Sequence, residues 1–156
     1  MRYTILLICA LAFGLNACKS SQQMMYEAIP TDFTMTISRT PCMGTCPYYE
    51  VTVNADGSVK YIGKGHVKLM GEHSKQLPAE TVVAIKEVIR SASFWELDES
   101  YDDPRISDLP SVSLSCTMDG RSHSVLARTG GPQEFGFMVR TLENLIGQDG
   151  YDPILE

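Results

Sequence analysis

The stretch YEVTVNADGSVKY, residues 49–61, guides the interpretation of the rest of the sequence. Apolar and polar residues alternate on both sides of Asp56-Gly57, and a period of two residues is typical of a β-strand with one buried face. An Asp-Gly pair between two such runs favours a tight turn. The stretch therefore predicts a β-hairpin, within a sheet whose apolar face needs cover.

Further strands are predicted on either side of this hairpin. Residues 33–38 alternate in the same way and predict a strand before it, and residues 66–70 predict a short fourth strand after it. A second hairpin is predicted over residues 111–127, with Asp119-Gly120 at its turn. Cys116 falls on the apolar side of that hairpin, where a small buried residue is the expected role.

Two segments change to the helical period. Apolar residues recur at helical spacing over residues 82–92, after Pro78, which suits a first helical turn. A second stripe runs over residues 135–146. The predicted order is ββββαββα. We therefore predict an α+β domain, in which a single antiparallel sheet of about six strands carries two helices packed on one face.

The sequence contains no catalytic signature: it has no nucleophile elbow, phosphate loop or paired-histidine zinc motif. The acidic stretch over residues 98–103 lacks the spacing of a known calcium loop. Gly130-Gly131 before the second helix is explained by a plain turn as well as by an anion site. We therefore predict no catalytic residue and no cofactor, and we expect a non-enzymatic protein.

The N-terminus has the features of a bacterial lipoprotein leader. Arg2 precedes the apolar run 5–15, which is too short for a spanning helix because such a helix needs about 20 residues. Residues 15–18, LNAC, resemble a lipobox, although an asparagine stands where a small or aliphatic residue is usual. We predict a lipoprotein signal peptide over residues 1–17 and lipidation of Cys18; an ordinary signal peptide cut elsewhere is the alternative.

The predicted lipid determines the layout of the chain. Acyl chains on one cysteine anchor a protein stably without spanning the membrane. By resemblance to enterobacterial sorting, Lys19 after the cysteine favours the outer membrane. We expect an exported protein, anchored to the outer membrane and facing the periplasm. Residues 18–32 are predicted to be a lipid-anchored flexible tether, residues 33–147 a single domain and residues 148–156 a C-terminal tail.

The charge of the chain restricts its partners. It has 13 Lys and Arg against 19 Asp and Glu, for a formal net charge of −6 at pH 7. An acidic domain repels phosphate backbones, so a nucleic-acid partner is not expected. The predicted partners are the membrane, through the N-terminal lipid, and another protein or envelope component.

Cys42 and Cys46 stand between two prolines, with Gly44 between them. In an oxidising compartment nearby thiols tend to pair. A turn at Gly44 can bring the two Cα atoms within the range of about 4.4–6.8 Å that a disulfide needs. We predict a structural disulfide that fixes the connection between two strands.

The alternative for the same pair is thiol chemistry. The pattern C-x3-C-P resembles that of copper chaperones for cytochrome oxidase, and thiolates suit Cu(I). Cys42, Cys46 and His66 would then hold copper, with His73 or His123 as other choices for the third ligand. The hairpins after the motif differ from the thioredoxin-like fold of those chaperones.

Tyr48, Tyr49 and Tyr61 lie close to the cysteine loop in the predicted sheet. Aromatic residues are enriched at protein interfaces, and contiguous exposed apolar patches mark interaction sites. If the three rings are exposed together, they form the predicted contact surface for a partner.

Four segments together carry a resemblance to a known family: RTPCMGTCPYYEVTV from residue 39, DGSVKYIGKG from residue 56, FWELDESYDD from residue 94 and SDLPSVSLS from residue 107. The sequence resembles a family of bacterial exported proteins, domain of unknown function number 6438, over roughly residues 33–147. The segment R-T-P-C-x-G-T-C-P-x-Y is the most specific part. The resemblance supports the fold and the disulfide motif, and it implies no activity, substrate or cofactor.

Overall fold

The computed structural model describes residues 21–103, 105–106 and 108–147. The predicted leader, Cys18 and the tail over residues 148–156 lie outside the described residues. The elements in chain order are α1 (Ser21–Glu27), β1 (Thr34–Arg39), β2 (Tyr48–Asn54), β3 (Ser58–Gly65), β4 (Gly71–Gln76), α2 (Ala79–Ser91), a short 3-10 turn (Phe94–Glu96), β5 (Ser100–Tyr101), β6 (Val112–Met118), β7 (Arg121–Ala127) and α3 (Gln133–Gly147).

The α+β class is confirmed, but the sheet is larger than predicted. The described residues form one sheet of seven strands in the order β4-β3-β2-β1-β6-β7-β5. Every pairing is antiparallel except that of β5 with β7, which is parallel. The two predicted hairpins are β2–β3 and β6–β7. Gly57 and Gly120 stand at their turns with φ of 81° and 72°, a conformation that glycine adopts without steric cost.

The fourth strand lies at Gly71–Gln76, so its prediction at residues 66–70 is wrong. Residues 66–70 form the loop before it, which begins at His66 with a φ of 50°. A Cβ on Gly63 would lie 1.9 Å from the Leu69 carbonyl oxygen, so the loop passes directly against β3. β4 is an edge strand made almost entirely of polar residues, and backbone pairing with β3 supports it in place of an apolar face.

A third helix, α1, lies within the segment predicted to be a flexible tether. The Tyr26 hydroxyl donates a hydrogen bond to the Leu77 carbonyl, and Ile29 is buried in the core. This seven-residue helix is mostly polar and has no acidic residue in its first turn and no basic one in its last. Little in these residues therefore predicts a helix.

The core lies between one face of the sheet and the two longer helices. Val82, Ile85 and Ile89 of α2 and Phe135, Val139 and Leu142 of α3 belong to the same buried cluster as the inward residues of β1, β2, β3, β6 and β7. On the outer face, hydroxyls face each other at 2.9 Å between Thr36 and Thr52 and between Ser115 and Ser124. The sheet is therefore apolar on one side and hydroxylated on the other.

Candidate binding cleft

The face of the sheet that packs against the helices ends at one row of paired residues. Arg39 of β1 pairs with Tyr49 of β2 on one side and with Val112 of β6 on the other. Val112 in turn pairs with Ala127 of β7. Arg39, Val112 and Ala127 line an open cleft. The inward-facing residues further along these strands are buried under the helices.

The cleft has a volume of about 560 Å³. One wall consists of Gly130-Gly131 and the first two turns of α3, as far as Arg140. The other walls are Cys46-Pro47, after the cysteine loop, and Pro110-Ser111, before β6. Concave sites of about 300–1,000 Å³ are the usual size for small ligands or the anchoring groups of larger ones.

A disulfide supports the wall that comes from the cysteine loop. Cys42 and Cys46 are bonded, with their Cα atoms 5.7 Å apart, as the sequence predicted. Met43 stands at the tip of the loop and is 87% exposed. The bond thus fixes the turn that carries Cys46 and Pro47 to the edge of the cleft.

Below the cleft, a partly buried ion pair joins the sheet to α3. Arg39 donates from Nε and Nη2 to the two carboxylate oxygens of Glu143, at 2.7 and 3.0 Å. The Tyr49 hydroxyl also donates to Glu143, and it accepts a hydrogen bond from Arg39 Nε at 3.1 Å. Because Glu143 is only 5% exposed, its charge is compensated almost wholly by Arg39.

The pKa values of Tyr49 and Arg39 are displaced in the directions that keep their protons in place. Burial and the adjacent charge of Glu143 raise the pKa of Tyr49 well above its usual 10.0. Burial alone would lower the pKa of Arg39, but the hydrogen bonds and charge of Glu143 outweigh it and raise that pKa. The phenol therefore stays neutral and the guanidinium stays charged into the alkaline range.

Two further arginines face the cleft and are held more loosely. Arg128 Nε lies 3.6 Å from an Asp102 carboxylate oxygen, and Nη1 donates to the Ile106 carbonyl at 3.3 Å. The buried Nε of Arg128 has no hydrogen-bond partner. The guanidinium of Arg140 lies over the Phe137 ring, 4.8 Å from its centroid. Among the described residues that line the cleft there are three arginines and no Asp or Glu, although the chain as a whole is acidic.

The predicted tyrosine contact surface is wrong for two of its three members. Tyr49 and Tyr61 are buried, 0% and 1% exposed, with ring centroids 5.7 Å apart. Tyr49 points inward like Val51, because side chains two apart in a strand share a face. Only Tyr48 is half-buried, with Lys64 Nζ 5.3 Å from its ring centroid.

The alternative copper site has no counterpart in the described part of the chain. Residues 21–103, 105–106 and 108–147 contain no group of three or more His, Cys, Asp or Glu side chains arranged to hold a metal ion. Cys42 and Cys46 are bonded to each other, and His66 lies in the exposed loop after β3. His73 and His123 each lie within hydrogen-bond distance of a backbone carbonyl, at 3.0 Å.

Sequence reasoning missed the arginines of the cleft and their buried carboxylate. Arg39 occupies an inward position of β1, two residues after buried Ile37, and Glu143 falls within the apolar face of α3, four residues after Val139. Opposite charges at inward positions of two elements are a signal for a buried ion pair, since unpaired charges are rarely buried. Arg128 and Arg140 gave no such signal.

Within the described residues, no helix is both long enough and apolar enough to cross a membrane.

Comparison with known proteins places the chain in a family. No curated protein matches the sequence. Residues 33–146 match the family described as a domain of unknown function, DUF6438, and this range contains every strand of the sheet and nearly all of α3. The match covers well over half of the chain, so the protein belongs to the DUF6438 family.

Proposed function

We propose that the protein is a non-enzymatic, lipid-anchored module of the bacterial cell envelope, and that it binds another protein or an envelope component in the cleft beside the disulfide. The observation that carries the proposal is the cleft itself: a cavity of about 560 Å³ at the end of the sheet, lined by arginines and by apolar side chains. Arginine and aromatic residues are the types most enriched at binding hot spots.

Bonds within the protein hold the walls of the cleft in place, which supports a binding role. The disulfide fixes one wall, and the Arg39–Glu143 pair fixes α3 to the floor. On a third side, Thr40 N donates to the Ser111 carbonyl at 3.0 Å, and Ser111 N donates to Thr40 Oγ1 at 2.8 Å. A preorganised site loses less conformational entropy on binding, so more of the contact energy appears as affinity.

The polar side chains around the cleft are suited to hold a ligand more than to transform one. A guanidinium remains protonated at any physiological pH, so Arg39, Arg128 and Arg140 donate hydrogen bonds but do not exchange protons. The Ser111 hydroxyl lies 3.0 Å from that of Thr40, another neutral hydroxyl, and so lacks the adjacent base that activates a nucleophile.

The leader supports the membrane part of the proposal. Arg2, the apolar run and the LNAC sequence together favour acylation of Cys18. We expect Cys18→Ala to move the protein from the membrane fraction to the soluble fraction of its native host. Retention of the variant in the membrane fraction would argue against the anchor.

Photocrosslinking in living cells tests the binding role. A photoreactive aromatic amino acid replaces Phe137, which is 61% exposed on the cleft wall. The matched control carries the same amino acid at Lys60, an exposed position whose partner across the sheet, Thr52, lies on the outer face. We expect a light-dependent adduct from position 137 and not from position 60. If position 137 gives no adduct, or both positions give the same one, the cleft is not the binding site.

A further inference from the structure

We propose that the cleft recognises an oxyanion, a carboxylate or a phosphate, through Arg128 and Arg140, with an apolar part of the same ligand lying on Phe137. The inference rests on the proposed function, because it names the ligand class of the same cleft. It is argued from three properties of the cleft: loosely held positive charge, the end of a helix, and an exposed aromatic ring.

The positive charge available to a ligand comes from two arginines. One edge of the Arg39 guanidinium, Nε and Nη2, is already paired with Glu143 at 2.7 and 3.0 Å, so the charge of Arg39 is compensated. The contact of Arg128 with Asp102, at 3.6 Å, is too long for a hydrogen bond, and within the described residues Arg140 lies over the Phe137 ring without a carboxylate partner. A planar guanidinium binds carboxylate or phosphate oxygens through two parallel hydrogen bonds, so these side chains suit either group.

The same wall contains the N-terminus of α3, a helix of 15 residues. Gly130 and Gly131 have φ values of 85° and 90° and turn the chain into this helix, whose first residue, Gln133, lines the cleft. The first N–H groups of a helix lack partners within it, and the helix dipole places partial positive charge there. Glu134 is exposed in the same turn, but it does not line the cleft.

The remaining surface indicates that the ligand has an apolar part. Phe137 is 61% exposed on the wall, and Pro47, Pro110 and Pro132 line the cleft. Leu109, beside Pro110, is 47% exposed. Burying such apolar surface against a ligand is favourable. A ligand that joins an oxyanion to an apolar group therefore matches the cleft better than a bare inorganic ion.

Three small probes test the inference on the intact protein in neutral detergent. Phenyl phosphate and phenylacetate carry the two oxyanions, and benzyl alcohol is the uncharged analogue. Ligand-detected NMR titration measures their dissociation constants. We expect saturable binding of at least one anion and much weaker binding of the alcohol, and the tighter of the two anions identifies the oxyanion. Affinity should fall as salt is raised, because screening weakens exposed charge interactions.

Variants assign the binding to the two arginines. In R128Q/R140Q we expect at least tenfold weaker anion binding, since one lost charge-assisted hydrogen bond corresponds to about a tenfold change. The control is R121Q, which removes a guanidinium held 4.7 Å from the Trp95 ring centroid in a different depression. If the double variant fails to fold, R140Q alone is tested, because Arg140 is exposed and makes no ion pair with any described residue.

The outcomes separate this inference from the proposed function. Equal binding of the alcohol and the anions, no saturable binding of either anion, or wild-type affinity in the arginine variants would overturn the oxyanion assignment. A crosslinked partner at position 137 that persists in R128Q/R140Q would leave the binding role standing and the inference refuted. If no adduct forms at position 137 in the wild-type background, the proposed function is refuted instead.

Discussion

Arg39 and Arg128 line the same cleft, yet their carboxylate partners hold them very differently. Arg39 meets Glu143 through two hydrogen bonds, and the carboxylate is 5% exposed. Arg128 stands 3.6 Å from Asp102, whose side chain is 23% exposed. The first pair holds α3 on the sheet, and the second leaves a guanidinium able to take another partner. The number of arginines around a cleft therefore overstates the charge that a ligand can use.

The largest expected effect comes from breaking the tight pair. Glu143→Gln keeps the shape of the side chain but leaves the Arg39 charge partly buried without a counter-ion, which costs about 3 kcal/mol. The free energy of unfolding in urea measures this loss. Asp102→Asn is the matched control for the loose pair and should cost less than about 1 kcal/mol. Equal losses in the two variants would contradict the difference between the pairs.

Removing the disulfide tests whether the cleft depends on this covalent bond or is held by the Arg39–Glu143 pair as well. Cys42→Ser with Cys46→Ser should lower the free energy of unfolding by about 2 kcal/mol, since so short a loop removes little unfolded-state entropy. Binding in the cleft should survive, because the Arg39–Glu143 pair still fixes α3. Loss of all function without loss of stability would favour the copper or redox alternative, and a Cu(I) titration of the reduced protein would then measure it directly.

A smaller effect is the pH dependence of stability that Tyr49 adds to the Arg39–Glu143 network. The raised pKa of Tyr49 means that the folded state holds its proton where the unfolded state releases it. The contribution to stability is complete below pH 10 and is lost as the pH rises above that value. Tyr49→Phe should therefore flatten the fall in unfolding free energy above pH 10, while removing the hydrogen bond to Glu143 lowers stability by about 1 kcal/mol near pH 7.

Cys116 is present in both proteins of that comparison and cancels from the difference. Burial and the charge of Asp32 raise the pKa of its thiol from 9.0 to about 12. Its own contribution to stability accordingly declines from about pH 9 upward in each protein. A Tyr49→Phe variant with the same alkaline slope as the wild type would show that the tyrosine does not titrate with the network.

Local patterns sufficed to predict much of the fold. Both hairpins and both long helices follow from periods of two and 3.6 residues and from Asp-Gly turns, which depend only on neighbouring residues. The fourth strand was predicted at the wrong residues and α1 was missed, because neither β4 nor α1 has such a pattern. β4 is polar because an edge strand needs only backbone pairing on one side, and α1 is held by Tyr26 and by the neighbouring Ile29 more than by an apolar stripe of its own.

The cleft could not be predicted in the same way, because its parts come from separate elements. Arg39 ends β1, Arg128 follows β7 and Arg140 lies in α3, and they meet only because strand register aligns their ends. Tyr49 is different: it shares a face of β2 with buried Val51, so the alternation along the strand already favoured an inward ring over an exposed contact surface.

Crosslinking from position 137 in living cells, compared between the wild-type background and R128Q/R140Q, tests the central claim most directly. The loosely held arginines are predicted to bind the partner, so the adduct should form in the wild-type background and be lost in the double variant at equal protein level. An adduct of undiminished yield in R128Q/R140Q would contradict the account.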